Sequence, residues 1–279
     1  MNIPAVQHRS VLITGCSTGI GRATARMLRA RGWRVLATAR KQADVDALAA
    51  EGFEALLLDV ADPASVIEGV HAALERTGGT LGALVNNAGF GQPGALEDVP
   101  RSALRTQFEV NVFGLQDLTN RVLPAMLKAG SGRIVHISSV LGRVVIPMMG
   151  AYCATKHAVE ALADAQRVEL RGTGVGVILV EPGPIETEFR SNAVQVGQST
   201  LSRQSRFSLP DMAKRSDGSG AFAKPPEAVA EKIVHALESA RPRRRYRVTA
   251  PAYVGPLLHW LLPAAAFDAF ISRRLPRKT

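Results

Sequence analysis

Tyr152 and Lys156 stand four positions apart in the run Tyr152-Cys153-Ala154-Thr155-Lys156. The run opens a stretch with helical spacing, so a helix would put the phenol and the ammonium on one face. A free phenol has a pKa of about 10 and exchanges a proton near neutrality only where a cation stabilises its phenolate. Lys156 is such a cation, although the two residues would equally suit an amphipathic face with a solvated tip. Ser138 and Ser139 add hydroxyls at the end of an apolar run shortly before. Near the amino terminus, Thr14-Gly15-Cys16-Ser17-Thr18-Gly19-Ile20-Gly21 follows another apolar run and leads into a helical pattern. Its glycines permit a tight turn and close backbone approach, and the free amides of a helix start attract a phosphate. The spacing is not G-x-G-x-x-G, and a glycine-rich turn alone is a weak signal.

Something must hold these groups together. Short apolar, β-branched runs at residues 9–14, 34–39, 53–58, 81–85, 132–138 and 175–180 read as buried strands, with helical spacing between them over 20–30, 43–50, 64–76, a long 104–127 and 151–170. Continuous apolar strands joined by helix-length crossovers predict an α/β fold: a single doubly wound parallel sheet of Rossmann type with helices on both faces. Such sheets bind ligands beyond the carboxyl ends of the strands, where strand order reverses. The glycine turn and the serines both fall just past strands. Residues 184–224 lack periodicity and read as a long loop, a functional lid or a partly ordered segment.

In order and spacing these residues resemble the short-chain dehydrogenase/reductase family in its T-G-x-x-x-G-x-G and Y-x-x-x-K form, over about residues 8–250. The resemblance rests on the glycine turn, Asn86-Asn87-Ala88-Gly89 after the fourth strand, Asn111 on the next helix, Ser139 thirteen positions before Tyr152, the Tyr-x-x-x-Lys run, and Pro182-Gly183 with Thr187. It implies a nicotinamide-dependent oxidoreductase. Tyr152 would exchange the substrate proton, Ser139 bind the reacting oxygen, Lys156 steady the phenolate and hold the nicotinamide ribose, and Asn111 support a water leading to solvent. The thirteen-residue interval selects Ser139 over Ser138. For the cofactor it implies Gly15, Ser17, Thr18, Gly19, Ile20 and Gly21 along the turn. Asp59 with Val60 would meet the adenine, Asn86 and Ala88 border the ribose, and Thr187 meet the carboxamide, joined by Gly89, Pro182, Gly183 and Ile185.

NAD-preferring relatives carry an acid where this chain has Ala39, followed by Arg40 and Lys41. A small residue and an arginine leave room and charge for a 2′-phosphate, so NADP(H) is expected over NAD(H). An exposed Arg40-Lys41 pair on a loop is the plain alternative. The stretches ATAR, YCATK and PGPIET are most similar to the hydroxysteroid and retinol dehydrogenase-like branch and its bacterial aldehyde-reducing relatives. That implies an apolar aldehyde, ketosteroid, retinoid or long-chain ketone, or the matching alcohol. The contrasting reading is a cofactor-sensing binding protein without turnover; loss of Tyr152 or Lys156 would have favoured it. Relatives commonly pair through the helices corresponding to 104–127 and 151–170, which implies a homodimer or homotetramer.

Composition bounds the rest. With 279 residues, 46% hydrophobic and 21% charged, the chain is an ordinary globular one. Two cysteines, Cys16 and Cys153, cannot build a disulfide framework or a sulfur zinc site, and Cys153 has no base partner for nucleophilic work. No histidine has metal-ligand spacing; His136 reads as a core residue, and His157 with Glu160 as an ordinary surface pair. There is no apolar signal core and no run of about 18 apolar residues, so a cytoplasmic protein is expected. The net charge of +10 is concentrated: from Arg241 onward nine basic residues face Asp268 alone. No nucleic-acid-reading module accompanies them, so no nucleic-acid partner is expected and the charge is assigned to a tail. The catalytic and cofactor-binding domain is placed at 1–250, and an apolar, basic-flanked extension at 251–279. In residues 251–271, Pro256, His259, Pro263 and Asp268 interrupt any spanning helix. The two short apolar segments would either lie at an anionic membrane surface as a peripheral contact, or close the substrate pocket or a subunit contact through Leu257, Leu258, Leu261 and Phe267.

Overall fold

The computed structural model describes residues 3–200, 205, 207 and 222–272. Val11 and Ile13 face one side of the first strand and Leu12 the other, and all three are fully buried. Strands apolar on both faces need cover on both. The strands are β1 (Ser10–Ile13), β2 (Arg34–Ala39), β3 (Glu54–Leu57), β4 (Ala83–Asn86), β5 (Gly132–Ile137), β6 (Val175–Pro182) and β7 (Arg245–Val248). They form one seven-stranded parallel sheet in the order β3-β2-β1-β4-β5-β6-β7. Val11 pairs with Val35 on one side and Ala83 on the other. The order therefore reverses at β1, and the crevice beyond β1 and β4 is where such a sheet takes a ligand.

The helices are α1 (Gly19–Ala30), α2 (Gln42–Ala50), α3 (Pro63–Arg76), α4 (Arg101–Phe108), α5 (Leu115–Ala129), α6 (Gly150–Glu169), α7 (Phe189–Thr200), α8 (Glu227–Glu238), α9 (Pro251–Leu261) and α10 (Ala264–Ser272). Leu28 of α1 and Ile233 and Leu237 of α8 pack on Val11, Val35 and Val180. Across the sheet, Val70 of α3, Leu118 and Val122 of α5 and Val159 of α6 pack on Leu12, Leu84 and Ile134. Helix starts follow local chemistry: Asp62 caps α3 by accepting from the Ala64 amide at 3.0 Å, with Pro63 as the first helical residue.

Several expectations need correction. The single long helix expected over 104–127 is α4, a π-helical turn at Glu109–Gly114, and α5. A methyl group at Gly114 would collide with the Val60 carbonyl oxygen, so glycine lets the wide turn press against the end of β3. The expected loop at 184–224 contains α7; most of residues 201–221 lie outside the described residues. A seventh strand, β7, escaped because Tyr246 and Val248, both buried, alternate with arginines inside a basic run. Those arginines belong to the fold rather than to a tail. Arg245 Nε bonds Glu181 Oε1 at 2.9 Å, its Nη2 bonds Glu160 at 2.9 Å and Asp164 at 2.8 Å, and Arg247 Nε bonds Glu181 Oε2 at 3.2 Å. Glu160 is accordingly a buried ion-pair partner and no surface neighbour of His157, whose Nδ1 lies 2.8 Å from the Cys153 carbonyl.

The two apolar segments of the extension are α9 and α10, broken at Pro263. Their inner residues Leu258, Leu262, Phe267 and Ile271 cluster with Val140, Leu141 and Val144, just beyond β5. No helix among the described residues is long and apolar enough to cross a membrane.

Candidate active site

Three loops at the carboxyl end of the sheet make the crevice. In the first, Gly15 (φ 70°) and Gly19 (φ 57°) adopt left-handed backbone that a side chain would strain, and a methyl group at Gly21 would collide with the Gly15 carbonyl oxygen. Ser17, Thr18 and Ile20 complete the turn. Thr18 is extended and makes no side-chain cap, so the first amides of α1 are left without a partner from it. This is a cradle that any side chain at position 21 would fill, and it suits a pyrophosphate.

The second loop follows β4 and is locked to the first. Asn87 Nδ2 donates to the Thr14 and Gly15 carbonyls at 2.8 and 3.0 Å, and Thr14 Oγ1 accepts from the Asn87 and Ala88 amides at 3.0 and 2.9 Å. Sequence reasoning quoted Thr14 and Asn87 without giving them a role; their signal was their place inside the two motifs. Cys16 N donates to the Thr38 carbonyl at 2.8 Å, tying the turn to β2, and burial pushes its thiol up to about 12. Asn86 turns inward: its Nδ2 lies 2.9 Å from Thr119 Oγ1 and 3.1 Å from His136 Nδ1. A ribose at this position would meet Ala88 and Gly89 rather than the Asn86 side chain. Burial pushes His136 down to about 4, which keeps its ring neutral.

At the rim, Ala39 is buried as the last residue of β2, while Arg40 is exposed and makes no ion pair among the described residues. Asp59 Oδ1 accepts from the Ala61 amide at 2.9 Å, and Val60 packs under Gly114. The third loop leaves β6 through Pro182. Gly183 donates to the Val248 carbonyl at 2.9 Å, Ile185 bridges to Lys224, and Thr187 overhangs the glycine turn, its Cγ2 3.1 Å from where a methyl at Gly19 would stand.

Tyr152 and Lys156 lie on the buried face of α6. The Tyr152 phenol lies near enough to Ser139 for that hydroxyl to lower its pKa, and Ser139 Oγ accepts from the Leu141 amide at 3.1 Å. Ser138 lies the other way, beside Gly142 and Glu160. Lys156 Nζ donates to the Ile137 carbonyl at 2.7 Å and sits 5.7 Å from the Tyr152 ring centroid. Asn111 comes from the π-helical turn: its Oδ1 accepts from the Phe90 amide at 3.1 Å and its Nδ2 donates to the Phe90 carbonyl at 3.0 Å. Gly89 faces both groups; a methyl there would stand 3.1 Å from Asn111 Oδ1 and 3.8 Å from Lys156 Nζ. The structure thus brings the four sequence-selected groups Asn111, Ser139, Tyr152 and Lys156 to one place.

Burial sets their acidity. It pushes the Tyr152 phenol well above its ordinary value, with the Ser139 hydroxyl opposing. It pushes Lys156 down to about 8, with the Glu160 carboxylate opposing. The phenol is held protonated and the ammonium is poised to change charge slightly above neutrality. Around the phenol stand Met149, Cys153, Leu141, Ile146 and Phe189, the Phe189 ring 5.3 Å from that of Tyr152. Phe189, on α7, went unread because its segment shows no periodicity. No cluster of three or more His, Cys, Asp or Glu among the described residues could hold a metal.

A family model described as short chain dehydrogenase matches residues 9–196. The chain is 42% identical over 266 residues to the uncharacterized oxidoreductase YbbO of Escherichia coli K12, covering 95% of each chain. It is 34% identical over 282 residues to an NADPH-dependent 3-dehydrocapnine reductase of Ornithobacterium rhinotracheale, covering 97% of this chain and 99% of the relative. A short-chain dehydrogenase/reductase from Burkholderia phymatum, solved in complex with NAD, superposes with a TM-score of 0.76 at 28% identity, covering 100% of this chain and 99% of that one.

Proposed function

The chain belongs to the short-chain dehydrogenase family, and from that premise we propose that it is an NADP(H)-dependent oxidoreductase interconverting the carbonyl and alcohol of an apolar substrate. The observation that carries the reading is the buried set of Ser139, Tyr152, Lys156 and Asn111 beside a cradle that only glycine at position 21 leaves open. When bound, the nicotinamide supplies or accepts the hydride at the substrate carbon.

The chain's own groups handle the oxygen and its proton. Ser139 and Tyr152, the first already acting on the second's acidity, receive the substrate oxygen between their hydroxyls. In the reducing direction Tyr152 gives its proton to that oxygen, and burial keeps this donor loaded. Lys156, one helical turn on, stabilises the phenolate left behind. Asn111 faces Lys156 across Gly89 and would hold the water through which the proton is replaced. Gly15, Gly19 and Gly21 with the first amides of α1 would hold the pyrophosphate. Thr187 and Gly183 would border the nicotinamide end, and Asp59 and Val60 the adenine end.

Arg40 supports a 2′-phosphate: it is exposed at the β2 rim, free of ion pairs among the described residues, and follows an alanine where no carboxylate competes. The NADPH-dependent relative fits this choice, while the NAD-bound structure makes a direct comparison of the two cofactors necessary. Phe189, Met149, Ile146 and Leu141 support an apolar substrate. Oxidation of NADPH and of NADH by the purified protein, across a panel of aldehydes, ketosteroids, retinal and long-chain ketones, tests the whole reading. Saturable turnover with NADPH preferred is expected. NADPH binding without turnover of any carbonyl would replace the enzyme by a cofactor-sensing protein.

A further inference from the structure

The hairpin of α9 and α10 has two apolar faces, and the fold uses one. The inner face closes on the segment after β5: a methyl at Gly255 would stand 3.6 to 3.8 Å from Val140 and Val144, and Leu258 and Leu262 join their cluster. Among the described residues nothing covers the outer face. Tyr253, Val254, Leu257, Trp260 and Leu261 all stand exposed, Trp260 at 80%. Their spacing puts them on one stripe of α9. A surface-exposed apolar stripe with a tryptophan at its end marks an interaction site rather than ordinary surface.

Charge selects the occupant. Residues 251–267 contain no acid, and beyond them Arg273, Arg274, Arg277 and Lys278 face Asp268 alone. The Arg247 guanidinium borders the stripe, 5.8 Å from the Tyr253 ring, and the Tyr253 hydroxyl donates to the Arg247 carbonyl at 3.2 Å. Arg143, exposed, adjoins the Val144 against which α9 rests. A second copy meeting this face across a two-fold axis would bring like charges together. An anionic lipid surface offers apolar depth for the stripe and negative headgroups for the arginines. Neither helix can cross a bilayer, so the contact lies in the plane of the membrane.

We propose that the outer face of α9, with Arg143 and Arg247 beside it, docks the protein on an anionic bilayer. The full chain is mixed with vesicles of phosphatidylcholine containing phosphatidylglycerol, and with phosphatidylcholine vesicles alone. Co-sedimentation with the anionic vesicles is expected, weakened at least tenfold by half-molar salt and by the double variant Leu257→Glu, Trp260→Glu. Tryptophan emission should shift to the blue on binding, and the shift should vanish in Trp260→Phe, since Trp33 is 4% exposed and already shielded. Melting curves check that the exposed substitutions leave the fold intact; should the double variant not fold, the Trp260→Phe emission and the salt dependence decide. Absence of binding to anionic vesicles, or binding unaffected by these changes, overturns the proposal. A concentration-dependent doubling of mass, lost in the double variant and unaccompanied by vesicle binding, overturns it in favour of a second copy.

Discussion

Glu160→Gln should move the alkaline limit of the reaction. Glu160 follows Lys156 by one turn on the buried face of α6 and opposes the burial that brings the ammonium to about 8. Opposite charges about 6 Å apart at an effective dielectric of about 20 attract by about 3 kcal/mol, or about two pH units. Arg245 at 2.9 Å from the same carboxylate cancels part of that field, leaving about one unit for the variant to lose. A glutamine keeps the shape, and Arg245 keeps Glu181 and Asp164, so the fold should survive. With less opposition to burial, Lys156 loses its proton at lower pH and the phenolate loses its support sooner. The kcat profile for carbonyl reduction should therefore keep its value near pH 6 and fall several-fold near pH 8, its alkaline limb displaced downward by about one unit. The assay is steady-state NADPH oxidation from pH 5.5 to 10, beside a melting curve. An unchanged limb in a folded variant, or an equal loss at every pH, would refute the argument that Glu160 acts through the Lys156 proton.

Tyr152→Phe should lower kcat by about 10²-fold or more while the NADPH Kd, followed by cofactor fluorescence, stays nearly constant; Lys156→Ala should harm both. The pair Ala39→Asp, Arg40→Leu removes a charge-assisted contact worth about 1.5 to 3 kcal/mol, so the ratio of kcat/KM for NADPH over NADH should fall about ten- to a hundredfold. A wild type indifferent to the two cofactors would discard the Arg40 assignment. His136, held down to about 4 by burial against an ordinary 6.5, adds stability that is complete above pH 6.5 and lost as pH falls toward 4. That loss reaches at most about 3 kcal/mol, and urea midpoints at pH 7 and pH 5 should differ more in the wild type than in His136→Gln.

The sheet was legible because β1, β4, β5 and β6 are buried on both faces and announce themselves as unbroken apolar runs. The grouping of Asn111, Ser139, Tyr152 and Lys156 was legible because Tyr152 and Lys156 share a helix, Ser139 stands thirteen positions before Tyr152, and Asn111 lies on the helical stretch after Asn86-Asn87-Ala88-Gly89. What stayed hidden depends on partners distant in sequence. β7 passes as a charge run until Glu181 and Glu160 are seen beneath its arginines. Glu160 resembles any helix-surface acid until Arg245 covers it. The π-helical turn that carries Asn111 has no composition of its own; what marks it is the close approach of Gly114 to Val60. Phe189 packs on Tyr152 from a segment whose period is blurred by polar residues, so only that neighbour reveals its place.

The arginines of β7 also bear on how the protein behaves in crowded solution. β7 is the outermost strand of a sheet whose inner strands are almost wholly apolar, and a bare strand edge invites pairing with another chain. Arg243 and Arg244 stand exposed at its start, and Arg245 and Arg247 are tethered to Glu181. A foreign strand approaching this edge would meet the exposed guanidinium groups of Arg243 and Arg244. The residues that disguise β7 as a tail would thus act as gatekeepers against aggregation, a role that falls on the short stretch from Arg243 to Arg247 rather than on the core.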